Sequence, residues 1–240
     1  MELKPIARIR TFFPTKFGLP RQSGLAEHLP GTVVFEPPYR DRNALRGLEA
    51  FSHIWLLWGF SLNGTESWSP TVRPPRLGGN TRVGVFASRS PFRPNPIGLS
   101  CVRLQGIEAD PADGPVLRVL GADLADGTPI YDIKPYLRYA DCRPEAAEGF
   151  AGPLKEHALE VRADPGLLGQ LSDGERAGLL EVLAQDPRPG YARGDGRSFG
   201  FPYAGYEVRF RVLDGVLTLT ELFRTGESCA AGEAPPADAD

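Results

Sequence analysis

The first 145 residues read as a series of short apolar segments separated by turn-forming residues. Segments of five to eight residues, rich in β-branched and aromatic side chains, lie at 32–36, 53–60, 82–87, 99–104 and 116–122. Clusters of glycine, proline and aspartate, such as those at 73–80 and 109–115, bound them. Because no helical periodicity intervenes and no GxGxxG follows a strand, the pattern predicts a mainly β barrel or sandwich and not a Rossmann-type sheet.

The pattern changes beyond about residue 146. Ser172 and Glu175 form a capping-box pattern ahead of a leucine-rich segment at 172–186, which predicts a helix. Alternating segments at 206–212 and 216–223 flank Asp214-Gly215, which predicts a hairpin. A further strand is expected within 157–163. We therefore expect three parts, which are a β-barrel domain at 1–145, a small α+β domain at 146–226 and a disordered acidic tail at 227–240.

Composition excludes several classes of protein. The three cysteines and three histidines are scattered, without a CxxC pair, so neither a disulfide framework nor a metal site is expected, and a reducing cytoplasmic location is favoured. The N-terminal residues lack the apolar stretch of a signal peptide, and the longest apolar run, at 51–60, is too short to span a bilayer.

Charge is distributed unevenly along the chain. The whole chain has a net charge of −3, yet residues 36–103 hold nine arginines against four acidic residues, a local net charge of +5. Such a region is suited to a phosphate-bearing partner, although an arginine-rich solvated surface would have the same composition.

The segment SRSPFRPNPIGLS at 88–100 has the composition of neither a strand nor a helix. Its three prolines restrict the backbone and remove donors, so the loop should be stiff and extended. A stiff loop that carries Arg89 and Arg93 can bind a carboxylate or phosphate with little loss of entropy, and Gly98 permits close approach of a ligand. The alternative is that the loop only packs at the mouth of a barrel.

The amino-acid sequence of this loop is similar to a known family signature. RVGVFASRSPFRPNPIGLS, at 82–100, resembles the signature of the TsaA-like family, also called YaeB or TrmO. The resemblance extends over nearly the whole chain, in segments at 16–25, 46–60, 69–80, 123–137 and 184–191.

The resemblance implies a non-Rossmann β-barrel methyltransferase that uses S-adenosyl-L-methionine. It implies methylation of N6 of threonylcarbamoyladenosine at position 37 in the anticodon loop of tRNA, by a homodimer with the cofactor near the subunit interface. The cofactor-site residues that it implies are Pro20, Arg21, Gln22, Ser61, Leu62, Arg89, Leu99, Asp126, Thr128, Pro129, Ile130, Tyr131 and Asp132. Ser61-Leu62 departs from relatives that often have a histidine and a basic residue there.

Methyl transfer to N6 requires a base, because the acceptor nitrogen must lose a proton. Asp132 is the first candidate, followed by Asp126 and Tyr131, although the stretch at 126–128 is also an ordinary turn sequence. His53 lies in an apolar strand pattern, where a core role competes with a chemical one. Trp55 and Trp58 are candidates for stacking on adenine or for the core.

Two other functions stay open at this point. The same loop would suit a non-catalytic module that binds S-adenosylmethionine, or a methyltransferase that acts on a small metabolite. Arg188 and Lys155 are expected to add phosphate contacts to the basic region if tRNA is the substrate.

Overall fold

The computed structural model describes residues 2–63, 68–74, 77, 81–154, 158–188 and 196–226. Lys155 and the acidic tail at 227–240 lie outside these residues. Within the described part, no helix is long and apolar enough to cross a membrane.

Six antiparallel strands form a closed barrel. They are β1 Ala7–Arg10, β2 Pro30–Phe35, β3 His53–Gly59, β6 Ile97–Asp110, β7 Gly114–Leu120 and β8 Pro129–Pro135. Their order around the barrel is β1-β2-β7-β6-β3-β8. The ring closes because β1 pairs with both β2 and β8. Alternate side chains point inward, so that one contiguous core contains Ile9, Val33, Ile54, Leu117 and Ile130.

The prediction of a strand at 82–87 is wrong for most of these residues. Only Val83–Gly84 (β5) pairs, with Thr71–Val72 (β4), and Val85–Ala87 is a 3₁₀ turn. The partner segment lies between Pro70 and Pro74, which lack backbone donors, so the ladder cannot extend.

Two barrel strands were not predicted. Strand β1 has four residues, two of them arginines, and β8 begins and ends with proline. Short or proline-bounded strands carry little local signal, and here it is pairing with neighbours that selects the extended backbone.

Among the described residues, the barrel is followed by three α-helices and a four-stranded sheet. The elements are α1 Arg138–Asp141, β9 Glu160–Arg162, α2 Pro165–Leu168, α3 Asp173–Ala184, β10 Ser198–Tyr203, β11 Tyr206–Leu213 and β12 Val216–Arg224. The strand order in the sheet is β10-β11-β12-β9. The predicted hairpin is confirmed, because β11 and β12 flank Asp214 and Gly215, whose φ angles are 49° and 77°. Helix α3 begins with the capping box formed by Ser172 and Glu175.

The core beneath this sheet takes residues from the N-terminal part of the chain. Phe13 and Leu29 are fully buried in it, together with the side chains of α3 and β10–β12. The ring of Phe13 lies 5.2 Å from that of Tyr203. The loop between β1 and β2 is therefore held between the barrel and the C-terminal sheet, and this position brings it to the site described next.

Candidate active site

A cavity of about 440 Å³ lies where the loop between β1 and β2 meets the barrel. Its walls come from the segments 16–22, 58–63, 88–93, 97–99 and 123–128. Its volume falls within the range of roughly 300–1,000 Å³ that is usual for small-molecule sites.

The cavity gathers most of the residues that the sequence resemblance assigned to a cofactor. The following line it: Pro20, Arg21, Gln22, Ser61, Leu62, Arg89, Leu99 and Thr128. These residues lie on five separate parts of the chain, and the fold brings them to one place.

The rest of the predicted set lies elsewhere. Ile130 is fully buried in the barrel core, and Pro129 pairs with Arg8 at the β1–β8 ladder. Asp126 accepts a hydrogen bond from the Thr11 amide at 2.9 Å and lines a different, shallower depression. These three residues do not line the cavity within the chain.

Asp132 and Tyr131 are also outside the cavity of their own chain. The Asp132 carboxylate forms an ion pair with Lys134, at 2.9 Å, and the Asp132 side chain is 45% exposed. The Tyr131 ring packs over Gly59, where an added Cβ would lie 2.4 Å from the phenol oxygen. The proposed base is therefore solvent-accessible but separate from the pocket that its own chain forms.

The three aromatic candidates of β3 have different surroundings. His53 is exposed and its ring contacts the Ser52 hydroxyl at 2.9 Å. Trp55 donates its indole N–H to Asp141 at 3.0 Å, outside the cavity. Only Trp58 lines the cavity.

The proline loop is braced by one of its own arginines. Arg93 donates to the carbonyl oxygens of Ser88 and Ser90, at 3.1 and 3.3 Å. Arg89, at the start of the loop, donates to the side-chain carbonyl of Gln22 on the opposite wall. The loop thus supports itself through Arg93, whereas Arg89 connects it to the segment at 16–22.

Arg21 connects the cavity to the C-terminal part. Its guanidinium donates to the backbone carbonyls of Asp186 and Arg188, at 3.3 and 3.4 Å. Arg188 in turn holds the Asp186 carboxylate with two bonds, of 2.8 and 3.1 Å. Because Arg188 is only 6% exposed, the expectation that it contacts tRNA phosphate is wrong. It is a buried support for the loop that positions Arg21.

A hydrogen-bonded chain of three side chains reaches the cavity wall. The Trp58 indole N–H donates to the Ser100 hydroxyl at 2.9 Å, and that hydroxyl donates to the Asp123 carboxylate at 2.5 Å. Burial raises the pKa of Asp123, and the Ser100 hydrogen bond opposes this shift. The arrangement holds a carboxylate in a largely desolvated position beside the pocket.

Gly98 makes room for the Trp58 indole. The two residues face each other in the β3–β6 ladder, and a Cβ on Gly98 would lie 2.3 Å from the indole ring. We expect Gly98→Ala to displace the ring and break its bond to Ser100, at a cost of about 1 kcal/mol in unfolding free energy. Denaturant titration and tryptophan fluorescence measure both effects. Gly106→Ala is the control, because the space beside Gly106 is open. An unshifted emission spectrum for Gly98→Ala would contradict the expectation.

Sequence reasoning missed Asp123, Ser100 and Asp186. Ser100 carries a usable signal, since it is a polar residue in phase with buried Gly98, Val102 and Leu104 on β6. Asp123 follows directly on the apolar segment predicted at 116–122, whereas nothing local indicates that Asp186 is buried.

The described residues contain no group of three or more histidine, cysteine or acidic side chains that could hold a metal ion. A β-barrel with an arginine-lined cavity of this size and one carboxylate on its wall is of a class suited to a small, charged organic ligand. The chain belongs to the tRNA-methyltransferase O family. The model of the tRNA-methyltransferase O N-terminal domain matches residues 8–142, and that of the TrmO C-terminal domain matches residues 159–225.

Individual relatives are similar over most of the chain. The tRNA (adenine(37)-N6)-methyltransferase of Escherichia coli is 43% identical over 89% of this chain and 94% of its own length. A "Probable S-adenosyl-L-methionine-binding protein" of Pyrococcus abyssi is 36% identical over 68% of this chain and 82% of its own. A crystal structure of TrmO from Pseudomonas aeruginosa superposes with a TM-score of 0.75 at 33% identity, covering 94% of this chain and 97% of that one.

Proposed function

We propose that this chain transfers a methyl group from S-adenosylmethionine to N6 of adenine 37 in tRNA, and that the cavity holds the cofactor. The observation that carries the proposal is the 43% identity to the E. coli enzyme over 89% of the chain. The resemblance to the family motifs implies that the acceptor nucleoside is threonylcarbamoyladenosine.

The side chains of the cavity fit the chemistry of this cofactor. S-adenosylmethionine presents an adenine ring, a carboxylate and two cationic centres. Trp58 and Phe60 offer aromatic surface to the adenine, and the guanidinium groups of Arg21 and Arg89 offer paired donors to the carboxylate. When bound, the cofactor supplies an electrophilic methyl group.

The chain contributes mainly by positioning. The braced proline loop and the anchored Arg21 side chain fix two walls of the cavity before the ligand arrives, which lowers the entropy lost on reaching a reactive geometry. The proton on N6 must be accepted by a base, and Asp132 is our candidate. Since Asp132 does not line the cavity of its own chain, this role requires that a second protomer present it.

Exposed apolar side chains around the cavity support the proposal that the protein is a homodimer. Several large apolar side chains are exposed beside the cavity or on the adjoining loop, which is costly for a surface that faces only water. They are Leu62, Phe86, Phe92, Ile97 and Leu99. We propose that a second copy covers them, which analytical ultracentrifugation of the wild type and of Phe86→Ser tests. A monomeric wild type would contradict the proposal.

Mixed dimers test the shared site directly. If Arg89 and Asp132 act together across the interface, Arg89→Ala and Asp132→Asn are each inactive, yet re-assembled mixtures regain about a quarter of wild-type turnover, from one intact site in half of the dimers. If the mixtures stay inactive although the two chains exchange between dimers, Asp132 does not act in a site that is shared across the interface.

The basic region is proposed to bind the tRNA backbone. Arg42, Arg73, Arg82 and Arg103 are exposed and available to phosphate. We expect tRNA affinity to fall steeply with salt although the chain is acidic overall. Each phosphate contact adds about 0.7–0.9 to the slope of log K against log salt, so Arg103→Ala should reduce that slope by about one unit. Arg162→Ala, in the C-terminal sheet, is the control. A slope near zero would show that these arginines contact only solvent.

Nucleoside analysis tests the reaction itself. Purified protein and S-adenosylmethionine are incubated with tRNA that carries unmethylated threonylcarbamoyladenosine, and the digest is examined by mass spectrometry for the N6-methyl product. Cofactor binding without any methylated nucleoside would favour the non-catalytic module, and methylation only of small molecules would favour the metabolite enzyme.

Domain division and location remain proposals. We propose a barrel domain at 1–145 and a C-terminal domain at 146–226, supported by the two sheets and the two hydrophobic clusters. A tRNA substrate supports a cytoplasmic location.

A further inference from the structure

Asp123 is the one carboxylate among the described residues that line the cavity. The other charged residues that line it are Lys16, Arg21, Arg89 and Arg93, all cationic. These four suit an anionic part of a ligand. Asp123 is the single lining residue suited to a cation, and its position therefore bears on how a ligand that carries both charges is oriented.

The hydrogen-bonded chain determines the direction in which protons point. An indole N–H can only donate, so the Ser100 oxygen accepts from Trp58 and its own proton is directed to Asp123 Oδ1. Ser100 is fully buried, which protects this bond from water. The Asp123 oxygen that faces Ser100 is therefore held as an acceptor, which favours the ionised carboxylate.

The ionised carboxylate is costly without a counter-ion. Burial raises the pKa of Asp123, and the hydrogen bonds from the Ser100 hydroxyl and from the backbone of Asp123 and Ser23, together with the charge of Arg89, oppose this only in part. No salt bridge to Asp123 is found among the described residues. Arg89 donates to the side chain of Gln22 and not to Asp123. A ligand cation beside Asp123 would supply that counter-ion.

We propose that Asp123, held by Trp58 and Ser100, binds the cationic amino-acid part of S-adenosylmethionine and so orients the cofactor in the cavity. This inference rests on the proposed function, because it assumes that the cavity is the cofactor site. Arg21 and Arg89 hold the carboxylate of the cofactor, and Asp123 holds its positive charge. The cofactor then has a single orientation in which both its anionic group and its cationic group are matched.

The test compares three ligands by calorimetry. S-adenosylmethionine carries the ammonium and the sulfonium, S-adenosylhomocysteine keeps only the ammonium, and 5′-methylthioadenosine has neither. Asp123→Asn should weaken the binding of S-adenosylmethionine by about 10- to 100-fold, as expected for the loss of a charge-assisted contact. The affinity for methylthioadenosine should change by no more than about threefold. An equal loss for S-adenosylhomocysteine assigns Asp123 to the ammonium, and a smaller loss assigns it to the sulfonium.

Ser100→Ala gives an independent readout. Without the hydroxyl the pKa of Asp123 rises further, so S-adenosylmethionine affinity should fall most at low pH and recover as the pH is raised. The other charged groups that line the cavity, Lys16, Arg21, Arg89 and Arg93, are present in both wild type and Ser100→Ala, so their contribution cancels in the ratio of the two affinities. Titration of the ligand amino group is common to all variants and cancels in their ratio. Glu108→Gln, on the same strand but exposed in an ion pair with Arg118, is the control.

The outcomes separate the two proposals. If the wild type binds neither S-adenosylmethionine nor methylthioadenosine, the cavity is not the cofactor site and the proposed function fails. If the wild type binds both and Asp123→Asn binds S-adenosylmethionine unchanged, only the role of Asp123 is overturned. Equal losses for all three ligands would also overturn it, since Asp123 would then act through the shape of the cavity. If Asp123→Asn does not fold, the Ser100→Ala variant tests the proposal instead. A ratio of Ser100→Ala to wild-type affinity for S-adenosylmethionine that does not change with pH would contradict it.

Discussion

Replacing Asp186 with alanine is expected to lower the free energy of unfolding by about 3–5 kcal/mol, because it leaves a guanidinium buried without its counter-ion. The Arg188 and Asp186 side chains are only 7% and 12% exposed and share two hydrogen bonds. Within the described residues, Nη1 of Arg188 already lacks a partner. The loss of Asp186 would leave the whole group uncompensated. Chemical denaturation of the full chain measures the effect.

The chain offers a closely matched control. Glu160 and Arg162 have the same two-residue spacing and a 2.8 Å contact, but their side chains are 60% and 65% exposed. Glu160→Ala should therefore change stability by no more than about 1 kcal/mol. Asp186→Asn should lose less than the alanine variant, since asparagine tolerates the positive φ of 53° and keeps an acceptor. A loss below about 1 kcal/mol for Asp186→Ala would show that the pair is solvated.

Asp186→Ala should also weaken the cofactor site. The carbonyls of residues 186 and 188 accept from Arg21, which lines the cavity, so a displaced loop would release that guanidinium. Affinity for S-adenosylmethionine should fall, whereas the salt dependence of tRNA binding should not change, because Arg188 is buried. A weaker salt dependence of tRNA binding in the Asp186→Ala variant would contradict this and would indicate that Arg188 contacts phosphate.

Arg89→Ala is expected to weaken S-adenosylmethionine binding by about 1–3 kcal/mol, the cost of a charge-assisted contact. The guanidinium lies at the start of the braced loop, lines the cavity and donates to Gln22. Arg89→Lys should lose most of the same affinity, because an ammonium copies the charge but cannot bind Gln22 and a carboxylate with a planar fork. Isothermal titration and melting temperature together measure affinity and stability.

A double-mutant cycle with Gln22→Leu separates two roles of Arg89. If Gln22 positions the guanidinium, the two substitutions are not additive in cofactor affinity. Arg82→Ala is the control, since Arg82 lies before the loop, is exposed and bonds only to Thr71 among the described contacts. Unchanged affinity with lowered stability for Arg89→Ala would make Arg89 a structural support and would place the cofactor elsewhere.

Local sequence carries enough information for elements whose pattern repeats over several residues. The alternation in β11 predicts that Tyr206, Val208, Phe210 and Val212 share one face, and all four are buried. The Ser172 capping box and the Asp214-Gly215 turn depend on contacts within a few residues, so they too are predicted correctly. The strand at 82–87 fails because its length depends on the prolines of a partner about twelve residues away in the chain.

By itself, the sequence determined the strands whose apolar pattern repeats, such as β3 and β11, where helix α3 begins and that Arg89 lies on a proline-rich loop, because each depends on neighbouring residues. Only the tertiary structure decided which side chains meet. Trp58 and Ser100 are 42 residues apart, Ser100 and Asp123 are 23 apart, and Arg21 and Asp186 are 165 apart. Barrel closure and the packing of the C-terminal sheet set these distances. Burial, which makes Arg188 a support and raises the pKa of Asp123, arises from the same long-range packing and leaves no local pattern.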